Sequence, residues 1–191
     1  MEVSKQEARD AIDQVEDAMG LTRRAIADGG ASPVLIAWGA IWVVGFMASH
    51  IWGDGAARLW PVLNLIGIAS TFLVLRRAPF RSAHGRGLGL FWWLLFVYGF
   101  LWLMVIAAAS PRPVTVTGRQ IGAYIVTLVM FAYVVMGLWL RSALLFWLGL
   151  AVTGVTAAAL FLFAPYFCLI MAFAGGGALA GAGIGIHRAW R

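Results

Sequence analysis

His50, Asn64, Tyr124 and Tyr166 are polar side chains near the ends of long apolar stretches, and Trp52 and Trp60 stand beside the first two. Residues of these types suit neutral hydrogen bonding better than acid–base or redox work. An imidazole, an amide and two phenols can orient a small solute, and indole faces can stack on an aromatic one. If the stretches are helices that fold back on one another, all six residues come to one end of a bundle. Asp54 and Arg58 join them from the connecting turn. Together they form a candidate outward-facing pocket for a small neutral or aromatic compound. The competing reading is that each polar group bonds a neighbouring helix or interfacial water.

Absent residue types narrow the chemistry further. Beyond Asp54 the chain carries no Asp or Glu, so the later apolar stretches contain no carboxylate. Proton-coupled pumps and cation carriers rely on intramembrane acids, paired-carboxylate hydrolysis needs two, and oxygen-ligated divalent metals need several. Haem is disfavoured as well. Of the three histidines, His84 sits in a loop, His187 at a helix end and His50 at the close of the first stretch. Cys168 is the single cysteine, which rules out an internal disulfide and a thiolate metal site. It lies in the last apolar stretch, where a buried inert thiol is the ordinary case. No catalytic residue, metal or cofactor is therefore assigned, and enzymatic activity is disfavoured.

Two further features concern packing and docking. Gly177, Gly181 and Gly185 recur every fourth residue beside a row of Ala174, Ala178 and Ala182. Small rows let two helix backbones approach closely, in this molecule or between two copies of it. Residues 3–28 read as an amphipathic helix with Ile12, Val15 and Met19 on one stripe and acids from Asp10 to Asp17 on the rest. An acidic face is repelled by an anionic leaflet. Its expected partners are the chain's own basic segment (Arg76, Arg77, Arg81, Arg86), another copy, or a separate protein. Exposed ion pairs are worth only about 0.2–1 kcal/mol each, so docking also requires the stripe to be buried.

The elements that position these residues follow from composition. Of 191 residues, 62% are hydrophobic and 12% charged, against roughly 25% charged in an ordinary soluble domain. That excess of apolar surface must face lipid, so membrane lipids are the expected surroundings. The fold class is all-α: a polytopic bundle over 31–191, preceded by a cytoplasmic acidic helix over 1–30. Six spans are expected at 34–51, 59–75, 88–108, 121–140, 143–163 and 166–186. Gly53-Asp54-Gly55, Pro111 to Pro113, the polar run from Thr115 to Gln120 and Pro165 punctuate them. The polar start lacks the basic end and apolar centre of a secretory signal, so the first stretch is expected to be an uncleaved span.

Charge sets the orientation. The first 28 residues carry a balance of −3 and the remainder +9, giving the net +6. With six spans, eleven Lys and Arg fall on the side of the termini and three (Arg58, Arg112, Arg119) on the other. The positive-inside rule then puts both termini in the cytoplasm of a cell-membrane protein. Basic residues spread over short loops fix topology rather than forming a nucleic-acid face. Trp52 and Trp60 mark the outer belt, and Trp92, Trp93, Trp139, Trp147 and Trp190 the inner.

Two functions fit these features. The first is a non-enzymatic regulatory, scaffold or accessory module that engages its basic segment or a partner protein through the N-terminal helix. The second is a transport or solute-binding subunit that uses the outer polar and Trp cluster.

Overall fold

The computed structural model describes Gln6, Arg9, Asp13, Gln14 and residues 32–77, 83–110 and 116–189. Ile12, Val15 and Met19 of the acidic amphipathic segment, and Arg81 of the basic one, lie outside the described residues. The described chain is helical throughout, with no strand among the described residues. Where water is absent, a helix satisfies its own backbone, and that is why apolar runs of this length take the helical form.

In chain order the helices are α1 (Ser32–Trp52), α2 (Leu59–Arg77), α3 (Ala83–Ala109), α4 (Gly118–Trp139) and α5 (Ala143–Phe161). The last span is built from a 3-10 turn (Ala164–Tyr166), α6 (Phe167–Ile170), a π-helical segment (Met171–Gly176) and α7 (Gly177–Ala189). Six helices are long and apolar enough to cross a membrane, as a multi-pass membrane protein requires.

Several boundaries differ from the sequence expectation. The basic segment is shorter, because α2 continues through Arg77 and α3 starts at Ala83. The run 115–120 is not all loop, since Thr117 and Gln120 form a reciprocal capping box that starts α4 at Gly118. The turn after α4 takes three residues. Arg141 adopts φ 48°, Ser142 N donates to Gly137 O, and Ser142 then caps α5 through Leu145 N. This reversal makes α4 and α5 a tight hairpin.

Four spans carry the core and two flank it. The buried share of the apolar window is 39% in α1, 33% in α4, 28% in α5 and 44% in the last span, against 11% in α2 and 6% in α3. Lipid gives little hydrophobic drive for helix association, so close backbone approach has to supply it. In the hairpin, a Cβ on Gly149 would stand 2.7 Å from Met130 O. Between α1 and the last span, a Cβ on Gly39 would stand 2.7 Å from Gly176 O, and Ser32 Oγ donates to Gly183 O. The two pairs join around Phe167, Met130, Met171 and Thr156, all fully buried.

Within the chain, the glycine row singled out from the sequence is not the one that meets another helix. A Cβ on Gly177 or Gly181 would meet open space, and one on Gly185 an ordinary contact with Leu144. Gly175, Gly176 and Gly183 make the close approaches instead. Gly177, Gly181 and Gly185 all lie within α7, and a different face of that helix, the one carrying Gly183, is turned toward Ser32, Leu35 and Ile36 of α1. Several threonine hydroxyls are satisfied within their own helices, as Thr127, Thr153 and Thr156 donate to the carbonyl four residues back. No buried side-chain nitrogen or oxygen among the described residues lacks a partner.

Candidate functional site

The helices alternate in direction, so Trp52, Leu59, Gly118 and Ala164 meet at the end of the bundle opposite Ser32 and Ala189. We call this the distal end. Contacts such as Phe46 with Phe167, Trp60 with Ser49, and Gly122 with Phe46 set that arrangement. A cavity of about 650 Å³ opens there between α1, α2, α4 and the start of the last span.

Its floor is aromatic. Phe46 packs edge-on against Trp42, Trp60 and Phe167, with ring centroids 6.1, 5.0 and 6.1 Å away. Trp60 is fixed from both sides: its ring lies over Gly45, where a Cβ would come within 2.7 Å, and its Nε1 donates to Ser49 Oγ at 3.1 Å. Ser49 in turn donates to Gly45 O. Val126, Ile125 and Gly122 of α4 close the opposite wall. Edge-to-face rings held in this way make a firm surface for an apolar ligand.

The rim is polar. His50 and Asn64 reach it from α1 and α2, and Thr117 and Arg119 from the start of α4. Asn64 Nδ2 is engaged by Trp60 O at 2.8 Å, which orients the amide. Arg119 Nη1 donates to Ala164 O at 2.7 Å and spans the mouth from α4 to the 3-10 turn. Cys168, partly buried, lines the cavity from the last span. Among the described residues that line the cavity, none is Asp or Glu.

The six residues singled out from the sequence therefore divide. His50, Trp60 and Asn64 line the cavity. Tyr124 does not, since its hydroxyl donates to Gly99 O and ties α4 to α3. Trp52 and Tyr166 are exposed at the distal end, outside the cavity lining. Sequence reasoning missed Arg119 and Cys168 as cavity residues. In the sequence Arg119 reads only as a topology determinant and Cys168 as inert core, whereas the capping pair Thr117 and Gln120 is the available signal that Arg119 opens a helix.

On the opposite side of the molecule, Arg76 lies 4.3 Å from the ring centre of Phe72 on its own helix. Arg77 and Arg86 belong to α2 and α3. A groove on α3 between Trp92, Trp93, Phe96 and Phe100 is shallow, apolar and open to the surroundings. Among the described residues no cluster of His, Cys, Asp or Glu is arranged to hold a metal. Comparison with protein-family profiles, curated proteins and solved structures finds no match to this chain.

Proposed function

We propose that this chain is a non-enzymatic membrane module that binds a small organic solute in the distal cavity, as the recognition part of a transport or accessory system. One observation carries the reading: an aromatic floor under a sparse polar rim, in a molecule where no buried side-chain nitrogen or oxygen among the described residues lacks a partner. Ligand sites typically occupy about 300–1,000 Å³ and combine an apolar lining with a few directing groups. Burying about 150 Å² of apolar ligand surface contributes roughly 4 kcal/mol, close to millimolar affinity before association costs. A useful affinity must draw on the rim as well.

In this proposal the protein sits in the cell membrane with both termini cytoplasmic, in keeping with the eleven-to-three arginine and lysine bias. The cavity then faces outward. The acidic first 30 residues form a cytoplasmic helix that docks on the Arg76–Arg86 segment, on a second copy, or on a partner protein.

The chain's single cysteine supplies the test, since Cys168 lines the cavity. A small membrane-impermeant thiol reagent should modify it in right-side-out vesicles and far more slowly in inverted ones. Native purification with mass spectrometry should recover a bound small molecule whose re-addition slows the modification. Equal reaction from both sides removes the outward orientation. A Cys168 that reacts only after unfolding removes the cavity.

A further inference from the structure

We infer that the distal cavity takes an amphiphilic anion, with a carboxylate or phosphate head at Arg119 and an apolar body over Phe46, Trp42 and Phe167. This rests on the solute-binding reading and goes beyond it by fixing the ligand's charge and orientation. Arg119 is the only Lys, Arg, Asp or Glu in the lining among the described residues. Among the described residues no carboxylate pairs with it; Nη1 donates to Ala164 O, and the exposed guanidinium keeps its other donors open to a ligand or to solvent. That bond also fixes the guanidinium at the mouth, so a planar bidentate partner meets a pre-oriented fork.

The surroundings reinforce the sign. Arg119 stands in the first turn of α4, where the helix presents the positive end of its dipole. The capping box engages Gln120 N, while Gly118 and Arg119 lie at the rim. His50 adds a hydrogen-bonding ring from the facing helix. A cationic head at this rim is repelled by Arg119, and a neutral one forgoes the charge-assisted bond that a carboxylate or phosphate makes with the guanidinium.

The body of the ligand is set by what lies below. From the rim inward the walls turn apolar within one helical turn, from Arg119 to Gly122 and from His50 to Phe46. The side between α2 and α4 is not sealed: Asn64 and Ile121 line the cavity and are also exposed. A chain or ring system attached to the head can lie on the floor and leave through that gap. Two sources supply this chemistry, an anionic bilayer lipid and a soluble aromatic acid.

The experiment uses the full chain in phosphatidylcholine nanodiscs and reads the modification rate of Cys168. Probes are 2-naphthoate, its neutral counterpart 2-naphthylmethanol, and phosphatidylglycerol added to the disc. Naphthoate should protect Cys168 at concentrations at least about tenfold lower than the alcohol. Arg119→Gln should abolish that difference and Arg119→Lys retain part of it. If phosphatidylglycerol alone slows the reaction and weakens the naphthoate effect, the anion comes from the bilayer. If naphthoate protects unaltered by phosphatidylglycerol, it is a soluble acid.

Equal protection by acid and alcohol overturns the inference while leaving a cavity that binds neutral solutes. So does an acid preference that survives in Arg119→Gln. The acid–alcohol comparison needs no substitution, so a variant that fails to fold does not decide the matter. Failure of every probe, with Cys168 reacting only after unfolding, removes the cavity itself.

Discussion

Gly39 and Gly176 face each other where α1 crosses the π segment, and a Cβ added to either would stand 2.7 or 2.8 Å from the other's carbonyl oxygen. Neither neighbour is a flexible side chain that can swing aside. Backbone meets backbone, so the crossing admits glycine on both sides and little else.

Gly39→Ala should therefore destabilise the protein by about 1–3 kcal/mol, since the helices must separate to admit the methyl group. Gly177→Ala and Gly181→Ala meet open space and should be neutral or stabilising by up to about 1 kcal/mol, through helix propensity. Unfolding in mixed micelles, compared across the three variants, tests the pattern. A reversed ranking would return the contact to the 177/181/185 row.

Ser32→Ala removes a buried hydroxyl whose hydrogen bond to Gly183 O ties the start of α1 to the end of the last span. The loss should be about 1 kcal/mol, because that carbonyl sits within α7 and the remaining cavity is small. Thermal unfolding in detergent reads this, and no change at all would make the contact incidental.

α2 is held to α1 by two indoles: Trp38 Nε1 donates to Thr71 Oγ1 at 3.0 Å and Trp60 Nε1 to Ser49 Oγ at 3.1 Å. With only 11% of its window buried, α2 has little other anchorage. The double variant Trp38→Phe, Trp60→Phe keeps most of the aromatic volume and loses both bonds. Amide exchange in α2 should quicken about tenfold or more, while the α4–α5 hairpin keeps its protection. Uniform acceleration through all spans would contradict a separately tethered α2.

A side chain grown into the cavity should close it. Gly122 faces the floor, where its Cβ would lie 3.3 Å from Phe46 Cε1 and 3.5 Å from Phe167 Cε1. Gly122→Leu should cut the modification rate of Cys168 by about tenfold, and Ile121→Trp at the exposed edge should do the same with less disturbance of the core. Unaltered reactivity in both would mean that Cys168 is reached by another route.

The expected topology gives a further outcome. Reporter insertions between residues 78 and 82 should read cytoplasmic and those between 111 and 115 external. The opposite pattern would turn the cavity toward the cytosol.

Six apolar helices are plain in the sequence because runs of about 20 residues with almost no charge have one physical solution in lipid. Their ends are less legible. The start of α4 depends on Thr117 and Gln120 bonding each other, and a polar run conceals that as easily as it reveals it. Faces are harder still. Tyr124 belongs to the correct end of the correct helix, yet it points to Gly99 on α3, while Ile121, Gly122 and Ile125 turn toward the cavity. Which side of α4 meets α1 is decided by packing at Phe46 and Phe167, residues far apart in the chain. The glycine row is ambiguous for a similar reason: its spacing announces a small face on α7, but packing decides that the face of Gly183 is the one turned toward α1.

The wide π turn at Met171–Gly176 has a consequence for the length of the chain. Successive residues of an α-helix rotate by about 100°, so a uniform helix would carry Phe167 and Gly183 to nearly opposite sides. The looser winding takes back roughly a quarter turn, and both residues stay inward. The last span thus holds a residue more than its path demands. Excising Phe173 or Ala174 should let the segment tighten while each half keeps its aspect, whereas excising Ala180 should swing Gly183 away from Ser32. Length variation in this protein has a natural home at that one stretch.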